Sequence, residues 1–125
     1  INRNLRESMD CEKELKKLQS EFKECHKLLT AIGDETRQYL MSVMIMGECD
    51  GERVIDIAEK MHLSRPAVSH HMQILKDAGF VTARKEGTMI YYSVNVDREG
   101  VKKVRNLIDH IDKLIAAESI DEEEL

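Results

Sequence analysis

Two short amphipathic segments separated by only three residues lie in the middle of this 125-residue chain. The first has apolar residues at the spacing of one helical face, at Val54, Ile57, Ala58 and Met61. The second extends from Arg65 to about Ala78, with Ser64 as a hydroxyl cap and Pro66 in the first turn, where a missing N–H costs nothing. Gly79 can end it in the left-handed conformation. Residues 54–78 are therefore predicted to form two helices joined by a tight turn.

The flanking segments predict a further helix and a hairpin. Upstream, "GDETRQYLMSVMIMGE" begins with the candidate N-cap Asp34 and stops at Gly47, which predicts a helix of about three turns. Downstream, "FVTARKEGTMIYYSV" is rich in β-branched and aromatic residues on both sides of a Glu86-Gly87 turn. This pattern predicts a β-hairpin over residues 80–94.

Each end of the chain carries a helical pattern with an apolar seam. Steps of three and four residues relate Cys11, Leu15, Leu18, Phe22, Cys25 and Leu29. The same steps relate Val101, Val104, Ile108, Ile111 and Ile115, and Leu107 and Leu114 widen that stripe. Either seam could pack inside its own subunit, but the compact middle of the chain offers little surface to cover both. We therefore predict that residues 12–30 and 101–118 form a dimer interface through Leu15, Leu18, Phe22, Cys25, Val104, Ile108, Ile111 and Ile115.

Together these elements predict a mainly α chain (α+β) in the order α-α-α-α-β-β-α. This is the layout of a winged helix-turn-helix, with residues 54–78 as the helix-turn-helix and residues 80–94 as the wing. The length suits one domain, so residues 1–125 are predicted to form a single winged-helix DNA-binding domain. The closing "ESIDEEEL" predicts an acidic tail over residues 119–125, expected to be a frayed and solvated end.

Composition disfavours several classes of protein. Apolar residues make up 42% of the chain and charged residues 34%, a balance typical of a globular rather than a disordered protein. The longest apolar run is far short of the roughly 20 residues that cross a bilayer, and no signal peptide is evident, so we expect a cytoplasmic protein without a membrane partner. No nucleophile, base and orienting group can be placed together, and an enzyme is not expected.

The charge of the chain is unevenly distributed. Its net value of −5 would by itself disfavour a nucleic-acid partner. Residues 60–92, however, contain five basic residues against two acidic ones, together with three histidines. The basic surplus therefore coincides with the predicted helix-turn-helix and wing.

The segment "LSRPAVSHHMQILKDAGFVTARKEGTMIYYSV" resembles the recognition helix and wing of the ArsR/SmtB family of bacterial winged-helix repressors. "LLTAIGDETRQYLM" is similar to the family's second-helix signature, which usually reads Asp-Pro-Thr-Arg where this chain has Asp34-Glu35-Thr36-Arg37. The resemblance covers roughly residues 27–118. It implies a homodimer that binds double-stranded operator DNA and releases it when an inducer, often a metal ion, binds. It also implies DNA contacts at Arg65, Ser69 and His70.

A helical wheel separates the two adjacent histidines of the predicted recognition helix. With Val68 as the buried reference, Met72 and Leu75 fall within about 40° of it and define the core face. His70 falls about 200° away and points outward, whereas His71 falls about 60° away, at the edge of the core face. Adjacent residues on a helix do not readily converge on one metal ion. The start of the helix, and the basic side chains and the hydroxyl group near the wing turn, are also expected to contact DNA. The full set of predicted DNA contacts is Ser64, Arg65, Ser69, His70, Gln73, Arg84, Lys85 and Thr88.

The residues do not identify the inducer. Metal-sensing relatives carry cysteines just before an Asp-Ile-Ala motif, and this chain has Arg53 and Ile55 there. A second metal site of the family would fall on Asp97, Glu99, His110 and Lys113. The ammonium group of Lys113 would repel a cation. No metal cofactor is therefore predicted, and a divalent ion at Asp97, Glu99 and His110 is kept as the weaker alternative.

The sequence leaves open the role of the three cysteines and one alternative function for the chain. Cys11, Cys25 and Cys49 have no CxxC spacing and are expected to be free thiols, with Cys49 filling a gap. The alternative to a DNA-binding repressor is a winged-helix module that contacts protein. That alternative predicts an acidic surface around the recognition helix, where this chain is basic.

Overall fold

The computed structural model describes the backbone of residues 9–124 and the side chains of residues 11–117. Its elements are α1 (Met9–Glu24), α2 (His26–Ile32), α3 (Glu35–Ile45), β1 (Glu52–Arg53), α4 (Val54–Met61), α5 (Arg65–Asp77), β2 (Val81–Glu86), β3 (Met89–Val94) and α6 (Arg98–Glu124). The mainly helical architecture with a small antiparallel sheet confirms the predicted fold class. The chain divides into two compact units, one formed by residues 27–100 and the other by α1 and most of α6.

The core of residues 27–100 lies between α3, α4, α5 and the hairpin. Its fully buried side chains share aliphatic chemistry and include Leu40, Ile57, Val68, Met72 and Leu75. Burying a side chain of this kind stabilises a protein by about 1.5–3 kcal/mol. The three apolar residues that the helical wheel placed on the core face of α5 are all in this set, so the predicted phase of that helix is confirmed.

The caps and turns of this unit follow the predicted chemistry. Asp34 caps α3 by accepting a hydrogen bond from the Arg37 backbone N–H at 2.9 Å. The turn between α4 and α5 begins at His62, which adopts the left-handed conformation at φ 56°. Gly79 follows α5 at φ 84°, a conformation that glycine adopts without strain. The helix-turn-helix therefore has the tight turn that the sequence predicts.

The sheet has one strand more than predicted. Glu52 and Arg53 form β1, which pairs antiparallel with β3, and the strand order is β1-β3-β2. Two residues are too short a run for a period-two pattern, so sequence periodicity does not reveal them. The wing turn also shifts by one residue from the predicted Glu86-Gly87, because β2 continues through Glu86 and the loop is Gly87-Thr88.

The second unit pairs α1 with α6. The Cys25 thiol lies near Lys103, and His110 contacts Glu14 and Glu21, so the two helices run antiparallel. The buried residues of this pair recur every seven positions, at Cys11, Leu18, Cys25, Leu107 and Leu114. Burial raises the pKa of the Cys25 thiol, and the nearby carboxylates of Glu24 and Glu21 add to this effect. This buried thiol is therefore a poor nucleophile.

The predicted interface residues of this unit fall into three classes of exposure. Leu18 and Cys25 are buried within one chain, and Leu15, Val104 and Ile111 are half-buried. Phe22, Ile108 and Ile115 are exposed at 47%, 55% and 49%. Leu18 and Cys25 therefore stabilise the unit itself, and only the others offer apolar area to a second chain. Their pairing across a dimer stays a prediction.

Three predicted boundaries or environments were wrong. The first helix is not continuous, because it is interrupted at Cys25, and its two parts bury residues in different units. The last helix continues to Glu124, so residues 119–124 of the predicted tail are helical, and Leu125 lies outside the described residues. Cys49 is exposed rather than filling a gap.

Within the described residues, no helix combines the length and the apolar character needed to cross a membrane.

Candidate nucleic-acid interface

The start of α5 is held by a side-chain cap and a proline. The Ser64 hydroxyl accepts a hydrogen bond from the Ala67 backbone N–H at 3.2 Å, and Pro66 stands in the first turn. Backbone N–H groups at a helix start and the helix dipole together favour an anion such as phosphate. Arg65, the first residue of the helix, is exposed and adds a positive charge at this end.

The two faces of α5 differ sharply in exposure. Val68, Met72 and Leu75 are 0% exposed and hold the helix against the core. Ser69, His70 and Gln73 lie on the exposed side. The Gln73 amide donates to Asp77 Oδ1 at 2.9 Å, which orients the amide along the helix. A helix with one face fixed and the other presenting hydroxyl, imidazole and amide groups can place hydrogen-bonding groups against base edges.

His71, beside His70, faces inward and contacts Arg37 of α3. Its Nδ1 lies 3.3 Å from Arg37 Nη1. Burial lowers the pKa of His71, and the positive charge of Arg37 acts in the same direction, while Asp34 opposes them. The neutral ring can accept the hydrogen bond that the guanidinium donates. His71 is thus a packing residue of the recognition helix, as the wheel predicted.

Arg37 connects three helices of residues 27–100. Only 8% exposed, it donates from Nε to the Ala31 carbonyl at 2.7 Å and from Nη2 to the Thr30 carbonyl at 3.0 Å. Both carbonyls lie in the last turn of α2, where no further helical N–H can reach them. This residue was not among the predicted site residues. The sequence signal for Arg37 was its position in the Thr36-Arg37 part of the α3 motif. Its contact with His71 could not be predicted, because only folding brings the two side chains together.

The side chain of Arg84, in strand β2 of the wing, already contacts other residues of the chain. The Arg84 guanidinium forms an ion pair with Glu86, donates to the Asp50 carbonyl at 2.9 Å and lies 4.9 Å from the centre of the Tyr91 ring. Lys85, near the end of β2, and Thr88, in the loop itself, are exposed. The neighbours Asp50, Glu86 and Tyr91 were not predicted from the sequence. Because the Arg84 charge is already paired with an acidic group, Lys85 is the stronger candidate for a phosphate contact.

Two of the groups considered for a metal ion, Asp97 and His110, have other partners. Asp97 Oδ1 accepts from the Glu99 backbone N–H at 3.2 Å, at the start of α6. His110 has Nε2 at 2.7 Å from Glu14 Oε2, and its Nδ1 contacts Glu21. Since the two ring nitrogens point in opposite directions, these carboxylates cannot share one ion with the imidazole. Among residues 11–117, no group of three or more histidine, cysteine or acidic side chains is placed to hold a metal.

A tight helical pair, a second helix with an exposed polar face and a two-stranded wing define a winged helix-turn-helix protein. The sequence model for bacterial regulatory proteins of the ArsR family matches residues 34–83. An HTH-type transcriptional regulator of Methanocaldococcus jannaschii is 37% identical over 90 residues, which cover 72% of this chain and 97% of that one. The chain therefore belongs to the ArsR family of regulatory proteins.

Two further similarities concern a repressor and a solved structure. The transcriptional repressor SdpR of Bacillus subtilis is 36% identical over 70 residues, which cover 56% of this chain and 74% of SdpR. The solution structure of a homodimeric winged helix-turn-helix DNA-binding domain from Mycobacterium bovis matches with a TM-score of 0.53 and 24% identity. That match covers 78% of this chain and 82% of the other, and at this identity it shows the fold alone.

Proposed function

We propose that this protein is a transcriptional repressor that binds operator DNA as a homodimer and releases it in response to an inducer. The observation that carries the proposal is the division of α5 into a buried face and an exposed polar face. Membership of the ArsR family and the similarity to the repressor SdpR support it.

In this proposal α5 enters the major groove and the wing follows the phosphate backbone. Ser69, His70 and Gln73 contact base edges, while Ser64 and Arg65 contact a phosphate or base near the helix start. Lys85, Thr88 and Arg84 contact the backbone or the minor groove. For Arg84 such a contact replaces its ion pair with Glu86, so its contribution is smaller than that of an unpaired base.

The homodimer is proposed from the apolar residues that α1 and α6 expose. Phe22, Ile108 and Ile115 lie about half exposed on the two helices of one unit, and a second copy would cover them. Two recognition helices related by a two-fold axis would then read two half-sites about one turn of DNA apart. The homodimeric state of the Mycobacterium bovis domain is consistent with this arrangement.

We further propose a cytoplasmic regulator without catalytic activity and without a resident metal ion. The engagement of both His110 ring nitrogens with carboxylates supports the last point. Titration with zinc, nickel or cobalt tests it directly. If the chain binds one of these metal ions with nanomolar affinity and His110→Ala abolishes that binding, the alternative of a metal site at Asp97, Glu99 and His110 would be correct.

The experiment that tests the main proposal is selection of DNA from a random or genomic library by the purified protein. We expect an enriched palindromic sequence, bound with a stoichiometry of two chains per site. His70→Ala and Arg65→Ala should weaken binding to that sequence, whereas Lys16→Ala, on the exposed surface of α1, is the matched control and should not. Absence of any enriched sequence would favour the winged-helix module that contacts protein instead.

A further inference from the structure

Two neighbouring residues of β3 expose apolar side chains on the wing. Met89 is 45% exposed and Ile90 is 44% exposed. Successive residues of a strand point to opposite faces of a sheet, so the two side chains lie on opposite faces of the hairpin. The proposed DNA contacts of the wing are all polar or charged and use neither of them. The surroundings of each side chain therefore decide whether it has a part in recognition.

Met89 shares its face of the wing with side chains that are engaged inside the chain. Its Sδ lies 3.5 Å from Arg53 Nη1 and 3.6 Å from the hydroxyl oxygen of Tyr91. Arg84, on the same face, donates to the Asp50 carbonyl and lies 4.9 Å from the centre of the Tyr91 ring. This face of the wing is thus covered by contacts to residues of the same chain.

Ile90 lies on the opposite face, which is the face that packs against the helices. On that face Tyr92 and Val94 of β3 and Val81 of β2 pack in the core of residues 27–100. The buried face of α5 packs in the same core. Ile90 is nearer the tip of the wing, past the end of β1, which pairs only with Tyr91 and Tyr92. Its exposed surface is therefore turned to the side of the sheet on which the recognition helix lies.

The residue opposite Ile90 across the hairpin is Lys85. The register pairs the two directly, so their side chains lie on one face with Cβ atoms about 4.5–5.5 Å apart. Lys85 is exposed and is the stronger candidate for a phosphate contact. The tip beyond this pair is open, since a Cβ at Gly87 would meet nothing within 4 Å. A phosphate bound by Lys85 would bring the edge of a DNA groove against Ile90.

We propose that the Ile90 side chain enters the minor groove of operator DNA beside this phosphate and selects A·T base pairs there. In the minor groove an A·T pair presents only acceptors, whereas a G·C pair adds the amino group on guanine N2. The hydrocarbon side chain of isoleucine cannot accept a hydrogen bond, so contact with that amino group would bury a donor without a partner. Ile90 is thereby a specificity-determining residue, and this role rests on the proposed DNA-binding function.

Ile90 and Lys85 contribute to binding in different ways. A phosphate contact positions the protein on DNA but carries no direct sequence information. Loss of the Lys85 ammonium group should therefore weaken binding to all sequences alike and reduce its dependence on salt. Loss of the Ile90 side chain should leave the salt dependence unchanged and remove only the discrimination between base pairs. The two roles can be separated by measurement.

Modified bases add or remove the minor-groove amino group while the major-groove edge keeps its hydrogen-bonding groups. In the operator recovered by selection, each A·T pair in turn is replaced by diaminopurine·T, which adds the group, and each G·C pair by inosine·C, which removes it. With the wild-type chain, we expect diaminopurine to lower affinity by about fivefold or more at a position under each wing. Ile90→Thr keeps a β-branched residue and supplies a hydroxyl acceptor, so it should bind both operators equally within about twofold.

Met89→Ala is the matched control, because Met89 is exposed to the same extent on the other face. It should respond to diaminopurine as the wild-type chain does. Ile90→Ala is the second variant and should agree with Ile90→Thr. The result is a ratio of two affinities measured with one protein, so partial unfolding of a variant does not alter it.

Three outcomes would overturn the inference. One is a wild-type chain whose affinity changes at no position that is substituted by diaminopurine or inosine. Another is a diaminopurine effect that persists in both Ile90 variants, which would place its cause in the shape of the DNA or in another residue. Either result with an intact operator complex leaves the proposed repressor function standing. A chain that enriches no DNA sequence would overturn that function and this inference together.

Discussion

His70 and His71 are neighbours in the sequence but have different surroundings in α5. His70 is exposed, whereas His71 is partly buried against Arg37. We expect His70→Ala to lower operator affinity by about 1–3 kcal/mol if the ring contacts a base, with stability changed by less than about 0.5 kcal/mol. His71→Ala should instead cost about 1–3 kcal/mol of stability, because it removes a packed ring and the acceptor of the Arg37 hydrogen bond. Thermal melts and operator titrations of the two variants measure both effects, and the reverse pattern would contradict this assignment.

The lowered pKa of His71 also predicts a pH dependence of stability. Burial, Arg37 and His70 lower the pKa in the folded chain from its ordinary value of 6.5, and Asp34 only partly opposes them. The unfolded chain therefore takes up a proton at a higher pH than the folded chain does. The free energy of unfolding should be unaffected by this group well above pH 6.5 and should fall as the pH drops below it. Denaturant melts between pH 5 and 8 test this, and an identical pH dependence in His71→Gln would refute it.

At the scale of elements, Arg37 joins the end of α2 to α3 and α5. Arg37→Met should destabilise the protein by about 2–4 kcal/mol, because it leaves two helix-end carbonyls, the buried one of Ala31 and the partly buried one of Thr30, without donors. Gln38→Met is the matched control on the next residue, where the amide donates to the Ile32 carbonyl at 2.6 Å but is exposed. Water can replace that hydrogen bond, so its loss should cost less than about 1 kcal/mol. If the two substitutions lower the free energy of unfolding equally in urea melts, the burial of Arg37 is not the cause of the stability loss in Arg37→Met.

The exposed apolar residues of α6 can be substituted to test for a dimer without unfolding the individual chain. Ile108→Glu places a charge on a side chain that is 55% exposed, so each chain should still fold. If a second chain covers this residue, burial of an unpaired carboxylate should shift the protein to monomers. Asn106→Glu, also exposed on α6, is the control. Sedimentation or light scattering gives the mass, and an unchanged mass for Ile108→Glu, equal to that of a dimer, would place the interface elsewhere.

For the whole molecule, DNA binding should depend on salt despite the net charge of −5. Phosphate contacts release counterions, so the logarithm of the association constant should fall linearly with the logarithm of the salt concentration. Lys85→Ala should reduce the slope by about one for each phosphate contact that is lost. Arg84→Ala should reduce it less, because Glu86 already neutralises that guanidinium. A slope of zero, or one that Lys85→Ala leaves unchanged, would argue against a phosphate contact by the wing.

The amino-acid sequence by itself determined the elements whose signals are local. The cap Asp34, the cap Ser64 with Pro66, and Gly79 delimit their helices through interactions within a few residues, so α3 and α5 could be predicted closely. The phase of α5 followed from helical geometry alone, and with it the different positions of His70 and His71. These features recur in the structure because backbone capping and side-chain periodicity do not depend on distant contacts.

Only the tertiary structure decided the features that join distant parts of the chain. The strand β1 exists because Glu52 and Arg53 pair with β3, some 40 residues later. The contact of Arg37 with His71 and the burial of the Glu52 carboxylate over Gly47 also depend on folding. The heptad spacing of α1 predicted an apolar seam but not which residues α6 would cover, so Leu18 and Cys25 are buried within one chain while Phe22 is exposed. Periodicity specifies a face of a helix, and the partner of that face is selected by packing between elements far apart in sequence.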